Sequence, residues 1–334
     1  MDTERTAHTN RVEMSGNHSL KLMLKAPDFT RSYGVLQTFE KEGMSDTVKY
    51  NVDVTFVRTI INRSRIFRVD RSSEVYINDS PPDLLADQLA HECGKIFYPL
   101  LAEVGFDGRF LAVYNQADIL ERWKMRRPEL EEYFKGELTK RYMDLMERVL
   151  VDPEAVSDVF RNDLFCQVYF ASLFKSYSAA QALEEQLQFA LCGRAPGLIF
   201  TVARAVMPEL TAVGKIEVLH TGKSSDERSI TDIEEEQRFA LEVMTNPSVE
   251  VVKASYNARY ILDPETKAIH SAVADWTLEM KSPERTELKL FELEKPVEID
   301  PETAEERSPG MVFIDGKKEK TDKKITDIFN FLWK

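Results

Sequence analysis

His91-Glu92-Cys93 opens like the zinc-protease pattern His-Glu-x-x-His, which sets two imidazoles one helical turn apart around a metal. Position 95 is lysine, so the second ligand is missing. His91 and Cys93 stand two residues apart and leave a helix in different directions. The expectation is therefore no metal, with His91 on a polar face and Cys93 packed as a small hydrophobe.

Other reactive types fare no better. Gly222-Lys223-Ser224 matches the last positions of a phosphate loop, but the upstream glycine is absent and no helix evidently follows to supply N–H donors. There is no Gly-x-Ser-x-Gly elbow. Cys166 sits among Leu164, Phe165 and Val168, an apolar setting that hides a thiol and raises its pKa. A Cys–His pair between Cys166 or Cys192 and His220 or His270 needs support from the fold. Glu234-Glu235-Glu236 reads as a solvated loop run within the charged stretch SSDERSITDIEEEQ. No catalytic residue, metal ligand or cofactor is assigned.

Three constellations point to binding instead. Arg63, Arg65, Arg68 and Arg71 crowd one short stretch, and guanidinium forks bind carboxylates and phosphates bidentately. The bland alternative is a solvated sheet edge, where basic residues discourage strand pairing. At the C-terminus, Ile325, Ile328, Phe329, Leu332 and Trp333 form an apolar stripe behind a lysine-rich lead-in. That stripe fits docking on its own domain or in a groove of a partner. Finally, Ala254, Ala258, Ala272 and Ala274 alternate with Tyr256, Tyr260, His270 and Trp276. Small residues there permit close helix packing, or leave a cavity for an apolar ligand walled by these aromatics.

The elements that must position these groups follow from periodicity. Val48, Tyr50, Val52, Val54 and Phe56 alternate with Thr47, Lys49, Asn51, Asp53 and Thr55, which predicts a strand with one wet and one buried face. Pro81-Pro82-Asp83 starts a helix carrying Leu85, Leu89, Ile96, Phe97, Leu100 and Val104 at helical spacing. A turn at 106–108 precedes a short strand at 110–114. Helices follow to about 175, with a kink or fresh start expected at Pro128. Strands return at 198–206, 215–220, 249–262, 268–280 and 287–293, the third and fourth joined by the turn Asp263-Pro264-Glu265-Thr266.

Strands, then helices, then strands predict an α+β fold: one curved antiparallel sheet built from N- and C-terminal meanders, with the central helical segment packed on one face. Residues 1–29 read as a mobile tail, 30–295 as a single domain, 296–316 as an acidic linker and 317–334 as an amphipathic helix. A net charge of −13 argues against general nucleic-acid binding, which needs a broad positive face. No apolar run long enough to span a membrane and no secretory leader are present, so a cytoplasmic protein without stable membrane insertion is expected. Three scattered cysteines agree with a reducing compartment.

The function expected first is non-catalytic binding of another protein, as an adaptor, an immunity-type protein or a component of a larger assembly. The second expectation is a carrier of an apolar small ligand in a cavity between sheet and helices. The third is an enzyme whose site has no local motif.

Overall fold

The computed structural model describes residues 11–12, 19–178, 182–193, 195–246 and 248–293. The chain opens with β1 (Ser19–Lys21), β2 (Thr30–Lys41), β3 (Met44–Ile60), β4 (Ser64–Arg71) and β5 (Tyr76–Ile77). Helix α1 (Leu85–Lys95) leads to a hairpin of β6 (Leu100–Val104) and β7 (Phe110–Val113). Four helices follow: α2 (Gln116–Tyr133), α3 (Glu137–Leu150), α4 (Pro153–Arg161) and α5 (Leu164–Tyr169). Then come β8 (Ser176–Ser178), β9 (Leu183–Phe189), β10 (Leu198–Val206), β11 (Ile216–Ser224), the short helices α6 (Ile230–Glu234) and α7 (Leu241–Thr245), and β12 (Ala254–Leu262), β13 (Ile269–Leu278) and β14 (Glu284–Glu292). Helices and a large antiparallel sheet make this a mixed α+β fold.

That sheet runs β7-β6-β4-β3-β2-β14-β13-β12-β11-β10-β9, with β5 added beside β3. The two meanders join where β14 lies against β2, from Glu284↔Lys41 to Glu292↔Tyr33. Pairing β2 with β14 joins the two meanders into one sheet. Tyr33 and Val35 on β2 and Val52 and Val54 on β3 are buried on one face. The opposite face carries cross-strand ion pairs, such as Arg259–Glu217 at 2.5 Å and Arg285–Asp275 at 2.5 Å. Exposed pairs of this kind contribute at most about 1 kcal/mol each; their residue types mark which side is wet.

One register row crosses most of the sheet: Arg204, His220, Ala258, Ala274, Leu288, Gln37, Val48 and Ile77. Directly paired residues project from the same face, so the alanines and the β2–β3–β5 corner share one side of the sheet. Three strand spacings, roughly 14 Å, separate Ala274 from Val48.

Several expectations are corrected. Leu100 and Val104 lie in a strand, not in the continued helix: Tyr98-Pro99 intervenes, and proline disfavours helical backbone in the residue before it. Helix α2 runs through Pro128 to Tyr133 and ends where Phe134 turns extended (ψ 99°), and the fresh start comes at α3, with Gly136 before it at φ 124°. Of residues 1–29, 19–29 are packed: β1 pairs with β8, and Leu22, Ala26 and Phe29 join the core. The strand β9 at the sheet edge was not expected. Asp152-Pro153 opens α4, with the Asp152 carboxylate accepting the Glu154 N–H at 3.0 Å. The linker 296–316 and Ile325, Ile328, Phe329, Leu332 and Trp333 lie outside the described residues.

Candidate functional site

The sheet-face row ending at Gln37, Val48 and Ile77 is the floor of a cavity of about 120 Å³. Phe39, Val48, Val75, Phe97, Val159 and Phe160 give it apolar walls. The polar groups that reach it come from separate elements: Tyr50 from β3, Arg71 from the end of β4, Asp87 and His91 from α1, Tyr98 from the loop before β6, and Asp163 from the start of α5. The α1 helix places them by its spacing: Asp87, Ala90, His91 and Gly94 recur every three or four residues and face one way. Pro82, at the entry to that helix, lines the same space.

Arg71 is the centre of the polar wall. Its guanidinium carbon lies 5.1 Å from the Tyr50 ring centroid and 4.7 Å from that of Tyr98, within cation–π range. Nη2 donates to the Tyr98 hydroxyl at 3.2 Å, and Nε is buried with no partner. Among the described residues no carboxylate lies within 4 Å of this guanidinium. Burial works against its charge, but the Tyr98 and Tyr50 oxygens and Asp163 outweigh that and raise its pKa. Arg71, Tyr98 and Asp163 are deeply enclosed by protein yet keep part of their surface uncovered; that surface faces the cavity.

The two acids differ. Asp163 caps α5, accepting the Cys166 N–H at 2.8 Å. Burial raises its pKa, against the pull of that N–H and of Arg71. Asp87 is 2% exposed and has no hydrogen-bond partner among the described residues. Burial, with Asp83 adding to it, pushes its carboxyl up to about 6. Folded protein therefore holds a proton that unfolded chain has lost between pH 4 and 6, so stability falls as pH rises through that window. Asp87→Asn is expected to stabilise the protein by about 1 kcal/mol at pH 8, after the cost of burying the amide, and to give no gain at pH 4. Urea unfolding at the two pH values measures this; an equal effect at both would show that Asp87 titrates normally.

The four arginines expected to act together are separated. Arg63 lies in the turn before β4 and binds Glu103 through Nε at 2.8 Å and Nη2 at 3.1 Å. Arg65 stacks on Phe106 at 5.4 Å beside a space of about 20 Å³, room for one water. Arg68 pairs with Asp70 at 2.5 Å on the exposed side. The pleat turns only Arg68 to the other face; Arg65 and Arg71 share a face but stand six residues, about 20 Å, apart along β4. Arg71 alone reaches the cavity.

The alanine face is filled rather than open where the sequence placed a ligand. Tyr256 stacks on Trp276 at 5.3 Å, and Phe189 from β9 closes on both, at 4.7 Å and 5.2 Å. Tyr256, Tyr260 and Trp276 are buried there, and none of them lines the 120 Å³ cavity. His270 leaves the row: the register slips between Ile261↔Ser271 and Leu262↔Ile269, so Ile269 fills the inner position. His270 is half-exposed and meets Glu292 at 3.3 Å. The histidine that is inside is His220, beside Arg204 on the same row. Burial, then the charges of Arg204 and Lys175, hold its pKa well below the usual imidazole range, so it is neutral.

The remaining reactive groups are occupied or inert. His91 Nε2 meets Glu74 at 2.8 Å, and Glu92 binds Lys95 at 2.7 Å and Arg126 at 2.9 Å. Burial pushes the Cys93 thiol up to about 12 and the Cys166 thiol well above its ordinary value. Gly222, Lys223 and Ser224 are strand residues of β11; the first two are paired on both sides and Ser224 with Phe200 of β10. Among the described residues no group of three His, Cys, Asp or Glu side chains is placed to hold a metal, and no helix is long and apolar enough to cross a membrane.

No protein-family model matches this chain, and no curated protein matches its sequence. Among solved structures, one of lipovitellin, concerned with lipid–protein interactions, aligns over 79% of this chain with 12% identity and a TM-score of 0.42. This chain spans about a quarter of that one, 25% of its length. At that TM-score the likeness carries no functional argument.

Proposed function

We propose that this protein binds a small, largely apolar ligand in the cavity over the β2–β3–β5 corner. The observation that carries the reading is the cavity itself, about 120 Å³ between sheet and helices, with aromatic and aliphatic walls and a few inward polar groups. In this reading the helical segment is the cover: α1, α4 and the start of α5 lie over the same sheet face, and Tyr169 of α5 meets Tyr33 of β2 at 5.1 Å. Size sets the ligand class. An apolar cavity of about 150 Å³ stays dry and takes benzene, so a body of about six carbons fits here and a long acyl chain does not. This is the second of the sequence's expectations, moved from the alanine face to another part of the same side. The protein-binding expectation rests on Ile325, Ile328, Phe329, Leu332 and Trp333, which lie outside the described residues; the ligand reading rests on the described cavity.

Gly94→Leu tests it. A Cβ at Gly94 would meet Arg71 Nη1 at 3.7 Å, an ordinary contact, so the longer side chain enters the cavity. Leucine also raises helix propensity by roughly 0.8 kcal/mol over glycine. The expected result is an unchanged or raised melting temperature with at least a tenfold loss of benzene affinity by calorimetry. Equal benzene binding by both proteins would remove the cavity as the site.

A further inference from the structure

We propose that the ligand is a small monocarboxylic acid, its apolar body among Phe39, Val48, Phe97 and Phe160 and its carboxylate on Arg71, Tyr50 and Tyr98. This rests on the cavity being a ligand site and adds the chemistry of the head group.

Three groups of the wall, Tyr50, Tyr98 and Arg71, hold hydrogen-bond donors that meet no acceptor among the described residues. Tyr50 accepts a hydrogen bond from Gln37 Nε2 at 3.0 Å, and Tyr98 accepts one from Arg71 Nη2 at 3.2 Å. Each phenol therefore keeps its own proton to give, and among the described residues neither has an acceptor for it. Arg71 adds a buried Nε without a partner. Two hydroxyls and a guanidinium around one space match an oxyanion, which accepts several donors at once. A buried cation without an ion-pair partner is costly, and an incoming carboxylate removes that cost.

The acids in the wall do not take this role from the ligand. Asp163 is committed to the Cys166 N–H and lies beyond 4 Å of the guanidinium. Asp87 has no donor of its own among the described residues. A ligand cation would have to displace neither, but it would sit beside Arg71 and leave the phenol protons unmet. A monoanion answers both. A dianion such as a phosphate monoester would add a charge for which the wall has no second cation.

Benzoate and nitrobenzene are isosteric probes, one charged and one neutral. With the full chain at pH 5, where Asp87 keeps its proton and benzoate is ionised, benzoate is expected to bind at least tenfold more tightly than nitrobenzene by calorimetry. In Arg71→Met that preference should vanish while nitrobenzene still binds. Arg71→Lys keeps the charge without the fork and should retain part of the preference; it also serves if the methionine variant does not fold. Equal affinities in the native protein, or a preference that survives both substitutions, overturn the carboxylate assignment and leave the cavity reading standing. Failure of both probes to bind overturns both.

Discussion

Arg228→Met is expected to destabilise the protein by about 3–5 kcal/mol, the loss typical of stranding one member of a buried ion pair. Arg228 and Asp226 are 5% and 6% exposed. The guanidinium grips the carboxylate with Nε at 2.8 Å and Nη2 at 2.7 Å. Its remaining N–H groups hold the Pro196, Gly197 and Gln237 carbonyls, and Asp226 also accepts the Ile199 N–H at 3.1 Å. One arginine thus ties the start of β10 to the loop after β11. Burial alone would raise the Asp226 carboxyl, but these bonds lower it below its ordinary 3.8. The pair therefore contributes stability above that value and loses it as pH falls through the depressed pKa. Urea unfolding at pH 7 measures the loss. Arg228→Met with Asp226→Leu should recover much of it, because the double change leaves no buried charge. A single variant within about 1 kcal/mol of the native protein would show that water reaches the pair.

The second large effect is expected at the alanine face. Trp276→Ala should cost about 3–5 kcal/mol, as deletion of a fully buried large aromatic does. Trp276 is 0% exposed, stacked on Tyr256 and closed from β9 by Phe189. Its cross-strand partners are Tyr256 and Thr286, and the inward positions next to them, Ala274 on its own strand and Ala254 and Ala258 diagonally opposite, are too small to refill the space. If that face instead enclosed a ligand cavity in the native protein, truncation would enlarge an existing hole and cost far less. A loss below about 1 kcal/mol in urea unfolding would return the apolar-ligand site to the alanines.

These two sites show where local reading succeeds and fails. Tyr256, Tyr260 and Trp276 were legible as inward residues because a strand alternates its faces whatever it packs against. What they packed against was not: Phe189 arrives from β9, more than sixty positions away in the chain. The stretch SSDERSITDIEEEQ reads as a charged loop because six acids and one arginine lie in it. Only the fold shows that Asp226, Arg228, Ser229 and Asp232 turn inward and satisfy one another, including the Ser229–Asp232 capping box that starts α6. Ser229 followed three residues later by an acid was the available signal.

The cavity repeats this division. Arg71 could be named from its cluster as an anion ligand, but nothing local distinguished it from Arg63, Arg65 and Arg68. Tyr50, Asp87, Tyr98 and Asp163 carry no shared spacing, since each comes from a different element.

By itself the sequence determined the alternation of the strands, the helical middle, the mixed α+β class and the absence of any recognisable catalytic motif, because these depend on neighbours within a few residues. Tertiary structure alone decided that β14 lies against β2, that the alanine face is filled, that Asp226, Arg228, Ser229 and Asp232 of the charged loop turn inward and that one arginine of four lines the 120 Å³ cavity. Those outcomes depend on contacts between segments far apart in the chain, and a side chain's charge, burial and partners are set by such contacts rather than by its place in the sequence.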